Sequence, residues 1–154
     1  GAPDMISCGV SEPWQSVVRF TIEFTEGPPL SYDLETMSTD ELWVVVSAKP
    51  DAVMPDDIEY ILGVHGATLE STADTGSTLF DTDAPEGDEV FWGVVDVAVD
   101  GATLALSVDR KLIGDPDALW FFAWAGAEDG GSGEAYDSCP DEEVGAGEYA
   151  LYRG

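Results

Sequence analysis

The chain predicts an all-β protein, an antiparallel β-sandwich of about eight strands, with a small β-barrel as the alternative closure. Three observations carry this. Apolar residues recur at every second position through most segments, which is the period of a half-buried strand. Clusters of Gly, Pro and Asp separate those segments at short intervals, as turns require. No stretch has helical period, and no internal repeat is visible. With 154 residues, 44% of them hydrophobic, the chain is read as one domain over 1–154 with a sizeable core.

The elements follow in order. From Trp14 to Thr25, the residues Trp14, Val18, Phe20, Ile22 and Phe24 share one face, and Gln15, Arg19, Thr21 and Glu23 the other. Gly27-Pro28-Pro29 ends this strand. Residues 30–40 are polar and hold a turn or a short strand. From Glu41 to Ala48, Leu42, Val44, Val46 and Ala48 point one way, with Trp43 and Val45 opposite. Residues 50–55 form a loop. Ile58, Tyr60, Leu62 and Val64 make the next core face, and Gly66 turns the chain into 67–72.

Asp100-Gly101 lies between two alternating runs and predicts a two-residue type I′ hairpin. That register sets Val99 against Ala102, Val97 against Leu104, Val95 against Leu106 and Gly93 against Val108. A one-residue slip would carry acids into the core, so the choice of face is strongly specified. Residues 111–114 form a single turn. Ala118 to Ala125 is apolar on both faces and suits a central strand. Residues 126–147, rich in Gly and acids, read as a long loop carrying Cys139, and 148–153 as a closing strand.

Charge narrows the partners. The chain has 32 Asp plus Glu against 5 Lys plus Arg, a formal net charge of −27. A nucleic-acid binder needs a basic footprint that is missing here, and an anionic membrane surface would repel the chain. Self-repulsion of this size destabilises a compact state at low salt. A saline habitat, bound divalent cations, or simple solubility outside the cell each account for it.

Cys8 and Cys139 stand near opposite ends of the chain and are expected to form a disulfide. Closing so long a loop stabilises by about 5 kcal/mol in the chain-entropy model, and it implies an oxidising compartment. The chain has no transmembrane stretch or signal peptide, and Gly1 fits a scar left by a removed export signal. A secreted or cell-surface location is expected.

The segment from Gly93 to Pro140 combines several pieces. These are the Asp100-Gly101 hairpin, a strand ending Val108-Asp109, the turn Leu112-Ile113-Gly114-Asp115 and the run Leu119-Trp120-Phe121-Phe122-Ala123-Trp124. An acidic loop then closes with Asp137-Ser138-Cys139-Pro140. In this order they resemble the C-terminal half of DOMON-like and family 9 carbohydrate-binding-module-like β-sandwiches of secreted prokaryotic proteins. The resemblance covers about a third of the chain and implies a module that binds sugars or haem, or serves at a surface. Haem-binding members use Met and His as axial ligands. This chain has one histidine, His65, and Met5, Met37 and Met54. None of these aligns with the ligand positions, so no haem ligand is carried over.

Two candidate sites emerge. Trp120, Phe122 and Trp124 alternate on one face of one strand, with Trp120 and Trp124 about 13 Å apart at the usual rise. Together with Trp92 they form a shallow ligand surface, since the C–H faces of sugar rings stack on aromatic planes; Trp43 extends the platform. The competing reading puts these aromatics in the core. The second site is Asp81-Thr82-Asp83-Ala84-Pro85-Glu86-Gly87-Asp88-Glu89, whose Asp81, Asp83, Asp88 and Glu89 suit a structural calcium ion. It is no EF-hand, because Pro85 and Glu86 break that pattern. Asp115, Asp117, Glu128 and Asp129 form a further acidic group.

His65 reads as a structural residue. Zinc-ligand spacing and Gly-x-Ser-x-Gly are both missing. With so many acids, chance carboxylate pairs are expected and indicate no glycosidase dyad. The expected function is therefore a non-catalytic extracellular binding module that recognises a glycan. The alternative is a surface or adhesion module with a protein partner. A glycoside hydrolase or a small-ligand barrel comes third.

Overall fold

The computed structural model describes residues 5–14, 16–25, 32–33, 38–49, 57–65, 78–82, 84–85, 87, 89–92, 94–116, 118–128, 136–139 and 147–150. Among them the chain forms β1 (Met5–Trp14), β2 (Val17–Phe24), β3 (Tyr32–Asp33), β4 (Ser38–Ser47), β5 (Tyr60–His65) and β6 (Thr78–Asp81). There follow β7 (Val90–Trp92), β8 (Val95–Asp100), β9 (Thr103–Asp109), a 3-10 turn (Arg110–Ile113), β10 (Ala118–Glu128), β11 (Tyr136–Cys139) and β12 (Gly147–Ala150). One sheet has the order β1-β2-β9-β8. The other runs β11-β10-β4-β5-β6-β7, with β12 also on β10 and β3 on β4. All pairings are antiparallel. The sheets do not close into a barrel, so the molecule is an all-β sandwich.

Alternation builds the core. Val18, Phe20, Ile22 and Phe24 of β2 and Leu104, Leu106 and Val108 of β9 face inward from the four-stranded sheet. Leu42, Val44 and Val46 of β4, Leu62 and Val64 of β5, and Leu119 and Phe121 of β10 face them. Phe20 and Phe121 meet edge-on across the two sheets, ring centroids 5.2 Å apart at 64°, the geometry that aromatic quadrupoles favour. Each such buried side chain contributes roughly 1.5–3 kcal/mol by removal from water.

Four findings correct or add to the expectations. First, the hairpin pairs Asp100 with Thr103, Val99 with Leu104, Val97 with Leu106 and Val95 with Val108, two residues away from the predicted register. Gly101 (φ 61°) takes the first loop position and Ala102 the second. Only glycine adopts positive φ freely, so the turn forms one residue later than the Asp-Gly signal implied. A shift of two preserves which face each side chain takes.

Second, residues 5–14 form a full strand that alternation did not reveal. Bulges between Met5 and Ser7 and between Ser11 and Trp14 break its period. Third, Trp14 is not in the core. The chain reverses between Trp14 and Val17, leaving Trp14 63% exposed with the Arg19 guanidinium 5.6 Å from its ring centre. Fourth, residues 126–147 are not one loop. β10 continues to Glu128, and β11 carries Cys139 as a strand residue. The segment 67–72, together with Met37 and Met54, lies outside the described residues.

Two cross-links hold β1 at the edge of its sheet. Cys8 and Cys139 are bonded, with Cα atoms 6.1 Å apart and 131 residues between them. They join β1 of one sheet to β11 of the other. Further along β1, in phase with Cys8 and Val10, Glu12 accepts from Arg110 Nη1 at 2.6 Å. Arg110 is 4% exposed. Its Nη2 donates to the Pro116 carbonyl at 2.6 Å, and its Nε lies 3.3 Å from Asp115 Oδ1. Its main-chain N–H donates to Ser16 O at 2.8 Å. Arg110 thus ties β1 and the lead into β10 through its guanidinium, and the β1–β2 turn through its main chain.

Replacing both cysteines by serine is expected to cost about 2–5 kcal/mol of stability, read as a lower urea midpoint. Arg110→Ala takes this partner from the half-buried Glu12 carboxylate, with an expected loss of about 1–3 kcal/mol. A urea midpoint within error of the parent would show that the clamp contributes nothing.

Candidate functional site

Because Leu119, Phe121, Ala123 and Ala125 are fully buried in the sandwich core, the alternate residues of β10 project from its outer face. Trp120, Phe122 and Trp124 are accordingly half-buried on the outside of the eight-stranded sheet. Of the two readings of the aromatic stripe, the one that puts it in the core is overturned, for a geometrical reason. Among the described residues one face of β10 meets the other sheet, and Leu119, Phe121, Ala123 and Ala125 occupy it.

Register assembles the face in rows. Trp124 lies opposite Trp43, Trp43 opposite Gly63, Gly63 opposite Thr78 and Thr78 opposite position 92. The next row runs Phe122, Val45, Ile61, Phe80 and Val90. Trp120 lies opposite Ser47 on one side and position 148 on the other. Val45 is 5% exposed although it faces outward, whereas Trp43 is 40% exposed. The indoles of Trp43 and Trp124 are 5.2 Å apart, tilted by 39°. Trp43 and position 92 are separated by three ladder spacings, about 14 Å.

Two glycines make room for the indoles. A Cβ on Gly126 would stand 2.7 Å from Trp124 Cη2, so the Trp124 ring lies back along its own strand over that residue. A Cβ on Gly63 would stand 3.1 Å from Thr78 Oγ1 and 3.6 Å from Trp43 Cδ1. The Trp43 ring edge therefore covers a backbone floor. Glu41, half-buried, follows the same outward parity as Trp43, opposite Gly126 and position 65. At the other end Ser47 is fully buried. Its hydroxyl and the Ala48 N–H both donate to Glu59 Oε1, at 3.4 and 2.7 Å.

The sequence reading placed Trp120, Phe122 and Trp124 together, and the structure does so. For Trp92 only the strand position is described. Trp43 proves to be the direct partner of Trp124, and Glu41 went unnoticed. The signal for both was present in the strict alternation of Glu41, Trp43, Val45 and Ser47.

The proposed cation ligands are less drawn together. Asp81 ends β6, and its N–H donates to the Glu89 carbonyl at 2.7 Å. The Glu89 carboxylate accepts from the Gly87 N–H. Asp83 and Asp88 lie outside the described residues, as do Asp117 and Asp129. Among the described residues, no three His, Cys, Asp or Glu side chains gather as a metal site. The same is true of membrane spans: no described helix is long and apolar enough to cross one.

No protein-family model matches this chain, and neither a curated protein nor a solved structure matches it. The face must be interpreted from its own chemistry. Gly126→Ala tests the geometry. It is expected to displace the Trp124 indole and shift tryptophan emission, while leaving the strand-type circular dichroism spectrum intact. An unchanged emission spectrum would mean that the indole does not rest on Gly126.

Proposed function

We propose that this protein is a non-catalytic extracellular module that binds a glycan across the outer face of its eight-stranded sheet. The observation carrying the proposal is the Trp43–Trp124 pair, presented outward beside Phe122 and Trp120 on a rigid sheet. Pyranose rings offer flat C–H faces, and such faces stack on indole planes held in place. A sheet also orders its side chains before the ligand arrives, which limits the entropy lost on binding. The Cys8–Cys139 disulfide supports location in an oxidising compartment. The sandwich is the architecture that the DOMON-like resemblance implies.

A second reading, a surface module with a protein partner, is favoured by one observation. β8 is the outermost strand of its sheet among the described residues, and Val99 on it is 46% exposed. An extended segment could add there by main-chain pairing.

The glycan reading is tested by titrating tryptophan fluorescence with β-1,4-linked hexasaccharides. A saturable change is expected with at least one of them. Trp43→Ala and Trp124→Ala are expected to weaken it by about tenfold each, the size of one lost stacking contact, with little change in melting temperature. No response to any glycan, from protein that is folded, would overturn the proposal.

A further inference from the structure

Resting on the second reading, in which an extended segment adds to β8, we infer that this segment belongs to another protein and alternates apolar residues with lysine or arginine. β8 is the last strand of its sheet among the described residues. Its hairpin with β9 closes at the Asp100–Thr103 pair. In a two-residue hairpin the closing pair exchanges both main-chain hydrogen bonds, and every second residue back along the strand does the same. Asp100, Ala98 and Asp96 therefore bond to β9. The N–H and C=O groups of Val97 and Val99 point away from it, and no described residue pairs with them. An added strand takes up such groups.

Uncovered side chains set the pattern of that segment. Val97 and Val99 lie opposite Leu106 and Leu104, which are fully buried, so both take the core-facing side. Yet Val97 is only half-buried and Val99 is 46% exposed. The other sheet ends in the same way. Phe91 of β7 pairs with the fully buried Leu79 and shares its inward side, yet is 38% exposed. Residues 93 and 94 alone separate β7 from β8, so the two strands bound one margin of the sandwich. The opposite margin is stapled by Cys8 and Cys139. Core-directed apolar groups are thus left open at the unstapled margin. A further strand with apolar residues at alternate positions covers those of β8.

Charge selects the occupant. On its outward side β8 presents Asp96 and Asp100, both exposed. Neither takes part in an ion pair among the described residues. A second copy of the chain brings another −27 and sets its own Asp96 and Asp100 on the same face of the joined sheet, where like charges repel. A segment with Lys or Arg between its apolar residues meets these aspartates across the new strand pair.

The test uses labelled heptapeptides read by fluorescence anisotropy at about 50 mM salt, where surface charges are weakly screened. Three alternate valine with lysine, glutamine or glutamate. A fourth has the composition of the lysine peptide with its valines grouped together. The alternating lysine peptide is expected to bind about fivefold tighter than the glutamine peptide, the effect of two opposite-charge cross-strand pairs. The glutamate and grouped peptides are expected not to bind. N-methylation of one alternating set of amides in the lysine peptide should abolish binding, and of the other set should leave it, because only one edge of the peptide meets β8. Val99→Pro removes an outward N–H without touching the bonds to β9 and should weaken binding about tenfold. Asp96→Asn should halve the preference for lysine over glutamine. In sedimentation equilibrium the protein alone is expected to be a monomer.

Equal binding of the lysine, glutamine and glutamate peptides overturns the basic-segment inference and leaves strand addition at β8 standing. A dimer that Val99→Pro dissociates also overturns it, because a second copy is then the occupant. Binding of the grouped peptide as tight as that of the alternating one overturns both, since the attraction then belongs to the acidic surface at large. So does binding that neither set of N-methyl groups weakens, which decides the matter even if Val99→Pro does not fold. No response to any peptide overturns both.

Discussion

The edge-on contact of Phe20 with Phe121 at the centre of the sandwich decides the rest of the molecule. Once Phe121 points inward, Leu119, Ala123 and Ala125 must do so too, because successive strand side chains take opposite faces. Trp120, Phe122 and Trp124 then have nowhere to go but out. A strand that is apolar on both faces could have been buried between two layers. Here, among the described residues, one layer covers it, so the second apolar face becomes a surface, and Trp43 completes that surface from β4.

The same packing explains how a chain at −27 holds together. Among the described residues no Asp or Glu is fully buried: Glu23, Asp96, Asp100, Asp109 and Asp115 are exposed, and Glu12, Glu41, Asp57, Glu59, Asp81 and Glu89 are half-buried. The scarce cations are used individually. Arg110 is the buried one, engaged by Glu12, Pro116 and Asp115, and its planar fork suits several oxygen partners at once. The disulfide acts on the same strand from the other side. Together they fix β1, which bulges keep from pairing as regularly as β2 and β9 do. The opposite margin, β7 and β8, leaves Val90, Phe91 and Val99 more open.

Much of this was legible in the sequence. The inward faces of β2, β4, β5, β9 and β10 follow from alternation, and so does the grouping of Trp120 with Phe122 and Trp124. The turn after Asp109 and the pairing of Cys8 with Cys139 were also readable. Other features were hidden for identifiable reasons. The β1 strand has bulges that scramble its period. The hairpin turn moved by one residue, and the pairing by two, because glycine, not aspartate, had to supply positive φ. β11 is too short and its surroundings too acidic to announce a strand.

The sequence alone determined the period, and with it the class of fold and the two faces of every regular strand, because alternation is a local property of an extended chain. It also determined the sign of the charge that any ligand must meet. Which face of β10 would be covered was left to the tertiary structure, since that depends on which sheet packs against it. The meeting of Trp43 with Trp124, and the accommodation of the Trp124 ring over Gly126, likewise required strand order and register. Those arise from contacts between residues far apart in the chain, which no local pattern encodes.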